Sequence, residues 1–304
     1  MTDRVTLGIT SCNRGLYTRA LIKSVQCLRD LVDITVVDAG STEEGLQEFL
    51  KESEGSLIDR SVCRSPESRS WTNDEFIAKN IIIEGSKNDI IVFVQDDCQF
   101  IGNPTIFETL IRIMSDQICV PCLDVMGVRR STLDNQVSDS FKTEDGIPIW
   151  NIKNNHFPTT GIFDADIFKL YGPYETEWET SKENWGRAEN EYDSRLKSSL
   201  QGCSLLARSH VPLFISIWND PRGGYSFIRD NKRWGFYIPP VDESGLYYSQ
   251  LTVDDYSTLL NSPHPASFDD VARPLGWTYP KNSLGEHIKY GQDRFMKEGP
   301  YSSL

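Results

Sequence analysis

Five consecutive apolar residues, Ile90, Ile91, Val92, Phe93 and Val94, run without a turn into Gln95, Asp96 and Asp97. A continuous apolar run of this length predicts a strand covered on both faces, as in the middle of a parallel sheet. The preceding segments agree. Residues 4–10 predict a buried strand, with a turn over 11–15, and Leu16, Ala20, Leu21, Val25 and Leu28 then keep near-helical spacing. Residues 34–37 predict a second strand ending at Asp38, followed by a helix pattern to about Lys51. A short strand near 61–63 and a helix over 73–84 lead up to the central strand. Strand, helix, strand, helix is the order of parallel βαβ units, so the expected class is α/β, with a Rossmann-like, mostly parallel sheet flanked by helices.

Downstream, residues 104–115 predict a helix with Pro104 near its first position, and residues 118–126 predict another strand. The rhythm then breaks. Residues 129–158 are polar and predict a loop or short hairpin, 161–171 are again apolar, and 184–200 predict a helix. From about 215 onward Pro, Gly and aromatics dominate with little periodicity, too aromatic for a disordered tail. The expected organisation is a domain over 1–214, with halves near 1–125 and 126–214, and a loop-rich aromatic extension over 215–304.

A formal charge of −13 argues against a nucleic-acid partner, because phosphate neutralisation needs clustered Lys and Arg. No stretch approaches the ~20 apolar residues that span a bilayer. The first residues lack the charged-then-apolar layout of a signal peptide, which makes the cytoplasm the expected location. Seven Cys scattered through apolar segments predict reduced, buried thiols. The spacing of Cys119 and Cys122 has neither a second Cys pair nor the strand-to-helix context that zinc or redox chemistry needs.

In open α/β sheets, ligands collect beyond the carboxyl ends of the strands. Asp38 and the Asp96–Asp97 pair stand at such ends. Two adjacent carboxylates after a buried strand repel, and a divalent cation would remove the conflict. Mg²⁺ and Mn²⁺ typically take one or two carboxylates together with substrate phosphates. The alternative is that the pair caps the next helix, but that helix is expected to begin at Pro104, too far along.

Residues 5–14 (VTLGITSCNR), 36–42 (VVDAGST) and 92–97 (VFVQDD) together resemble the successive strand ends of family 2 glycosyltransferases, whose fold is termed GT-A. The order and spacing match over residues 1–100 and, more weakly, to about 210. The resemblance implies a transferase that takes a sugar from a nucleotide diphosphate donor, UDP favoured, to a glycan or small acceptor. Such activity belongs to surface-polysaccharide or soluble-glycan assembly. The residues near 1–125 would then bind the nucleotide and those near 126–214 the acceptor. It implies Thr10, Arg14 and Asp38 at the base and ribose, Asp96 at the ribose, and Asp97 on Mn²⁺ or Mg²⁺. This chain departs from the family's pattern in having Gln95 where Asp is frequent.

Residues 158–172 are similar to the family's acceptor-side strand and helix, and residues 185–195 (WGRAENEYDSR) resemble the stretch that places a catalytic carboxylate at a helix start. The matching register makes Glu189 the base and gives Trp185, Glu191 and Arg195 acceptor or supporting roles, with Ala188 where the family has a second acid. Such a base takes the acceptor's proton, and a single displacement inverts the anomeric configuration. The other reading of Glu191 and Arg195 is a solvated i,i+4 pair.

In the extension, Arg222 lies in a Gly-flanked basic loop that either closes over a diphosphate or forms a surface turn. His210 and Asp220 are additional candidates for the metal. Trp178, Trp185, Trp218 and Trp234 are candidates to stack on a sugar ring or to pack in the core. Two other functions stay open. A sugar nucleotidyltransferase would need a Gly-rich loop after strand one, where this chain has only Gly15. A catalytically inactive sugar- or nucleotide-binding scaffold is kept open by Gln95 and Ala188. A homo-oligomer is compatible with all of these.

Overall fold

Seven residues from Val5 to Ser11 form strand β1, and every one of them is buried. A strand enclosed in this way needs neighbours on both edges. β1 lies between β2 (Val32–Asp38) and β4 (Ile90–Gln95), parallel to both. The computed structural model describes residues 4–70, 73–116, 120–127, 133–134, 136–144, 146–152, 160–177, 187–199, 206–216 and 249–277. The remaining strands of the main sheet are β3 (Arg60–Cys63), β6 (Cys122–Asp124), β7 (Val137–Lys142), β8 (Pro148–Ile152), β9 (Gly161–Asp164) and β10 (Leu206–Ser209). They are ordered β3-β2-β1-β4-β9-β6-β10-β8-β7. Only β9 and β8 run against the rest.

Both faces of the centre are covered, as the unbroken apolar run of β4 requires. Val92 and Val94 pack into one core with Leu21 and Ile22 of helix α1 (Gly15–Ser24) and Phe107 and Leu110 of α4 (Pro104–Asp116). Ile91 and Phe93 face a second core. It holds Phe76 and Ile82 of α3 (Asp74–Gly85), Phe168 of α5 (Asp166–Tyr171) and Tyr192 of α6 (Arg187–Ser199). α3 approaches β1 so closely that a Cβ on Gly8 would stand 2.6 Å from an Ile82 methyl carbon. A side chain there would have to push the buried Ile82 side chain aside.

Several expected elements differ in extent. The helix expected to reach Leu28 stops at Ser24 and gives way to a three-residue 3₁₀ turn over Gln26–Leu28. α2 occupies only Leu46–Glu52. The strand expected over 118–126 is described only at Cys122–Asp124. It starts after Pro121, which has no N–H to give a ladder. The polar stretch contains the hairpin β7–β8. β5 (Cys98–Phe100), which the sequence pattern did not suggest, pairs antiparallel with β11 (Phe214–Ser216).

The extension holds two helices among its described residues, α7 (Val253–Leu260) and α8 (Phe268–Leu275). Each starts with a reciprocal capping box, Thr252 with Asp255 and Ser267 with Asp270, which satisfies amides that a helix start leaves open. Tyr256, Leu259, Val271 and Trp277 pack with Tyr17 and Ala20 of α1 and with Ile101, Val211 and Ile215. This part of the extension therefore rests on α1 and the β5–β11 ribbon. Among the described residues, the five cysteines are free thiols and no helix is long and apolar enough to cross a membrane.

Candidate active site

β1 and β4 are neighbours, yet the chain builds outward from them in opposite directions, with β2 and β3 beyond one and β9 and β6 beyond the other. Loops that part in this way open a crevice, the place where α/β sheets hold ligands. Residues 12–14 leave β1 there, and Asp96 and Asp97 leave β4.

The two loops are bonded to each other. Asp96 accepts the Cys12 amide on Oδ2 at 2.9 Å, and its own amide donates to the Thr10 carbonyl at 3.0 Å. Arg14 Nη1 reaches Asp96 Oδ1 and Asp97 Oδ2, each at 2.9 Å. One guanidinium thus serves two carboxylates. Burial pushes the Asp96 carboxyl up to about 7; the Arg14 charge opposes this and the Asp97 charge adds to it. Asp97 is also raised by burial, against Arg14, with Glu75 adding. The second oxygen of Asp97 has the weak Cys98 thiol donor beside it, at 3.8 Å. It is the oxygen most available to a cation, and among the described residues no cluster of three or more His, Cys, Asp or Glu side chains is arranged to hold one.

Asp38 is fully buried and organises the adjoining loop. Its carboxylate accepts the Ser41 amide at 2.8 Å, Gln47 Nε2 at 2.9 Å and the Ser41 hydroxyl. The same hydroxyl oxygen accepts the Asn13 amide at 2.7 Å, while Asn13 Oδ1 accepts the Thr42 amide at 2.7 Å. Asn13 adopts φ +54, a left-handed geometry that Asn tolerates better than most residues. Asp38 therefore acts on the crevice through this bonded turn, which sets where Arg14 begins. Gly40 is needed in it: at φ +98 an added Cβ would stand 2.9 Å from both the Ser65 carbonyl and the Arg69 side chain.

Glu189 lies in the first turn of α6, beside Ala188, whose burial with Tyr192 and Leu196 anchors that helix. Among the described residues nothing hydrogen-bonds the Glu189 carboxylate, although it is largely shielded from water. Burial pushes it up to about 7; Lys79 opposes, and Glu75 and Asp193 add. Glu75 acts on both Asp97 and Glu189, so the carboxylate beyond β4 and the one on α6 share one electrostatic field. Glu191 and Arg195 form a two-bond pair at 3.0 and 2.5 Å, and Arg195 also donates to the Tyr171 and Pro173 carbonyls. That clip ties α6 to the chain leaving α5 and gives the pair a supporting geometry.

His210 has both ring nitrogens engaged. Nδ1 accepts Trp150 Nε1–H at 2.9 Å, which leaves Nε2 to donate to the Leu259 carbonyl at 3.1 Å. In this arrangement it links β8 to α7, and neither nitrogen is offered to a metal. Trp178, Trp185, Trp218, Asp220, Arg222 and Trp234 lie outside the described residues. Two residues of the site were not anticipated, Glu75 and Lys79 of α3. The sequence did carry a signal: Lys79 is three residues after Phe76 and three before Ile82, a charge on the face that helical spacing assigns to the core.

No protein-family model matches this chain, and no curated protein sequence matches it. By structure it is similar to S. aureus TarS. A crystal structure of that protein shows 13% identity and a TM-score of 0.50, with 74% of this chain and 38% of that chain covered. TarS 1-349 in complex with UDP-GlcNAc shows 12% identity and a TM-score of 0.51, with 73% and 61% covered. The chain spans less than two thirds of the length of either structure. At such identity the likeness concerns the fold alone: an α/β architecture with a mixed, mostly parallel central sheet, of the GT-A kind.

Proposed function

We propose that this chain is an inverting glycosyltransferase that moves a sugar from a nucleoside diphosphate to an acceptor hydroxyl. The carrying observation is the Asp96–Asp97 end, held at the crevice by Arg14, together with a Glu189 that no described residue hydrogen-bonds, both acted on by Glu75. A UDP-sugar is the favoured donor, and the structural similarity to TarS 1-349, crystallised with UDP-GlcNAc, supports that choice. Thr10, Arg14, Asp38 and Asp96 form the donor side, with Asp38 acting through the turn it ties together.

Glu189 is the general base. As the acceptor oxygen bonds to the anomeric carbon, its proton passes to the Glu189 carboxylate, and the bond from that carbon to the diphosphate oxygen breaks with its electron pair leaving on the diphosphate. Attack opposite the leaving group inverts the configuration. Two adjacent carboxylates sharing one guanidinium, with an Asp97 oxygen that has only weak donors beside it among the described residues, fit a divalent cation, Mn²⁺ or Mg²⁺, which Asp97 would hold. Such an ion, when bound, supplies positive charge to the leaving diphosphate.

The test is thermal unfolding with UDP and other nucleoside diphosphates, each with and without Mn²⁺. A ligand at 100 times its Kd that binds only the folded chain adds about 2.7 kcal/mol of stability. The expected result is a rise in Tm that needs both nucleotide and cation and that Asp97→Asn removes. If no nucleotide moves the midpoint of the folded wild type, the donor-binding reading is lost and an inactive scaffold becomes the better account.

A further inference from the structure

Lys79 is an unusual residue for the middle of a core-facing helix surface. Its side chain is 1% exposed, and its ammonium lies 5.1 Å from the Phe76 ring centroid and 5.7 Å from those of Phe93 and Tyr174. Glu75, one turn earlier and 31% exposed, bonds it at 2.6 Å. A buried ammonium costs several kcal/mol unless it is paired, so its retention among three aromatic rings calls for a reason. Replacing the pair with apolar residues would commonly be neutral for stability.

The surroundings supply a reason. Tyr174 bonds Asn80 of α3 through both its amide and its carbonyl, at 2.9 and 2.8 Å, which fixes the 173–177 segment against that helix. The Tyr174 ring packs 4.5 Å from Tyr192 of α6. Glu189 is three residues before Tyr192 and therefore on the same side of α6. The rings that box Lys79 thus lead directly to the turn carrying Glu189, and Glu75 flanks the same space. We infer that Lys79 is a positioning residue for Glu189, a fixed cation under the pair of carboxylates Glu75 and Glu189. This rests on Glu189 as the base.

The division of labour follows. Glu75 neutralises Lys79 at the rim, and Lys79 in turn favours the charged form of Glu189, which burial disfavours. Among the described residues, the other groups facing Glu189 are Asp193 on α6, itself paired with Lys197 at 2.5 Å, and the Tyr174 phenol on the 173–177 segment. The buried rings of Phe76, Phe93 and Tyr174 hold the ammonium in place, so its charge acts on Glu189 from one fixed direction.

Carboxyl-carbon NMR of protein carrying labelled glutamate, with Glu189→Gln assigning the resonance, reads the Glu189 midpoint without any substrate. Lys79→Met should move that midpoint up by about one pH unit, and Lys79→Arg should return it to within a few tenths of the wild type. Glu75→Gln should move it down, because a flanking negative charge is lost and Lys79 is freed. It also keeps the test decisive if Lys79→Met fails to fold. A folded Lys79→Met with an unmoved midpoint, or a Glu75→Gln midpoint that is unmoved or higher, overturns the inference and leaves Lys79 as packing. Glu189→Gln turnover is a separate measurement. If that variant stays active, the base assignment fails while the NMR result on Lys79 still stands.

Discussion

Glu189→Gln should lower kcat by about 10²–10⁴-fold, the usual contribution of a positioned general base. Nucleotide binding should change little, because the donor side is built at the ends of β1, β2 and β4 and Glu189 belongs to α6. Glutamine has nearly the same size and cannot take the acceptor proton. The wild-type rate should fall as pH drops below about 7, where burial sets the Glu189 carboxyl. Its stability signature has a definite sign. The folded carboxyl titrates above its ordinary 4.5, so between that value and about 7 the folded chain holds a proton that the unfolded chain has lost. Stability from this group is present at low pH and is lost as pH rises through that window. Glu189→Gln should therefore gain on the wild type by on the order of 3 kcal/mol at pH 8 and not at pH 4, read as Tm against pH. A variant with full turnover, or one less stable than the wild type at pH 8, would remove Glu189 from the mechanism.

How far the sequence reached into this site depends on whether the determinants are local. The run from Ile90 to Val94 can satisfy its backbone and side chains only as a doubly covered strand, so β4 and the position of Asp96 and Asp97 were legible. Asp38 was legible for the same reason, at the end of β2. Its bonds to Ser41 and Gln47 were not, because they depend on a turn geometry that residue types alone leave open. Arg14 was expected near the base and ribose. Its bridge across Asp96 and Asp97 arises from two loops more than eighty residues apart, and no spacing encodes such a meeting. Lys79 was not anticipated, although it stands on the helix face that Phe76 and Ile82 assign to the core, and its meaning needed Tyr174 and Tyr192 from distant segments. The ribbon of β5 and β11 is too short for a periodic signal, and α7 and α8 were hidden by the irregular composition around them, although Thr252–Asp255 and Ser267–Asp270 are local cap signals.

The doubly used Arg14 is where stability and ligand binding meet. Among the described residues it is the one cation bonded to either Asp96 or Asp97, whose side chains are 7% and 22% exposed. Arg14→Leu removes that cation and leaves two nearly adjacent carboxylates facing each other in a sheltered site. Breaking a buried pair by deleting one partner costs about 3–5 kcal/mol, and the partial exposure of Arg14 reduces this to roughly 2–4. For a domain of this size that is a fall in Tm of about 5–12 °C. Two further measurements identify the cause as uncompensated charge and not lost packing. Asp97→Asn, placed on Arg14→Leu, should recover part of the lost stability, giving a non-additive cycle of the kind neighbouring residues show. Mn²⁺ should raise the Tm of Arg14→Leu more than that of the wild type, since the variant has one less positive charge at the pair. If the two substitutions simply add, and Mn²⁺ treats both proteins alike, then Arg14 is not the counter-charge of this site and the crevice holds its carboxylates by other means.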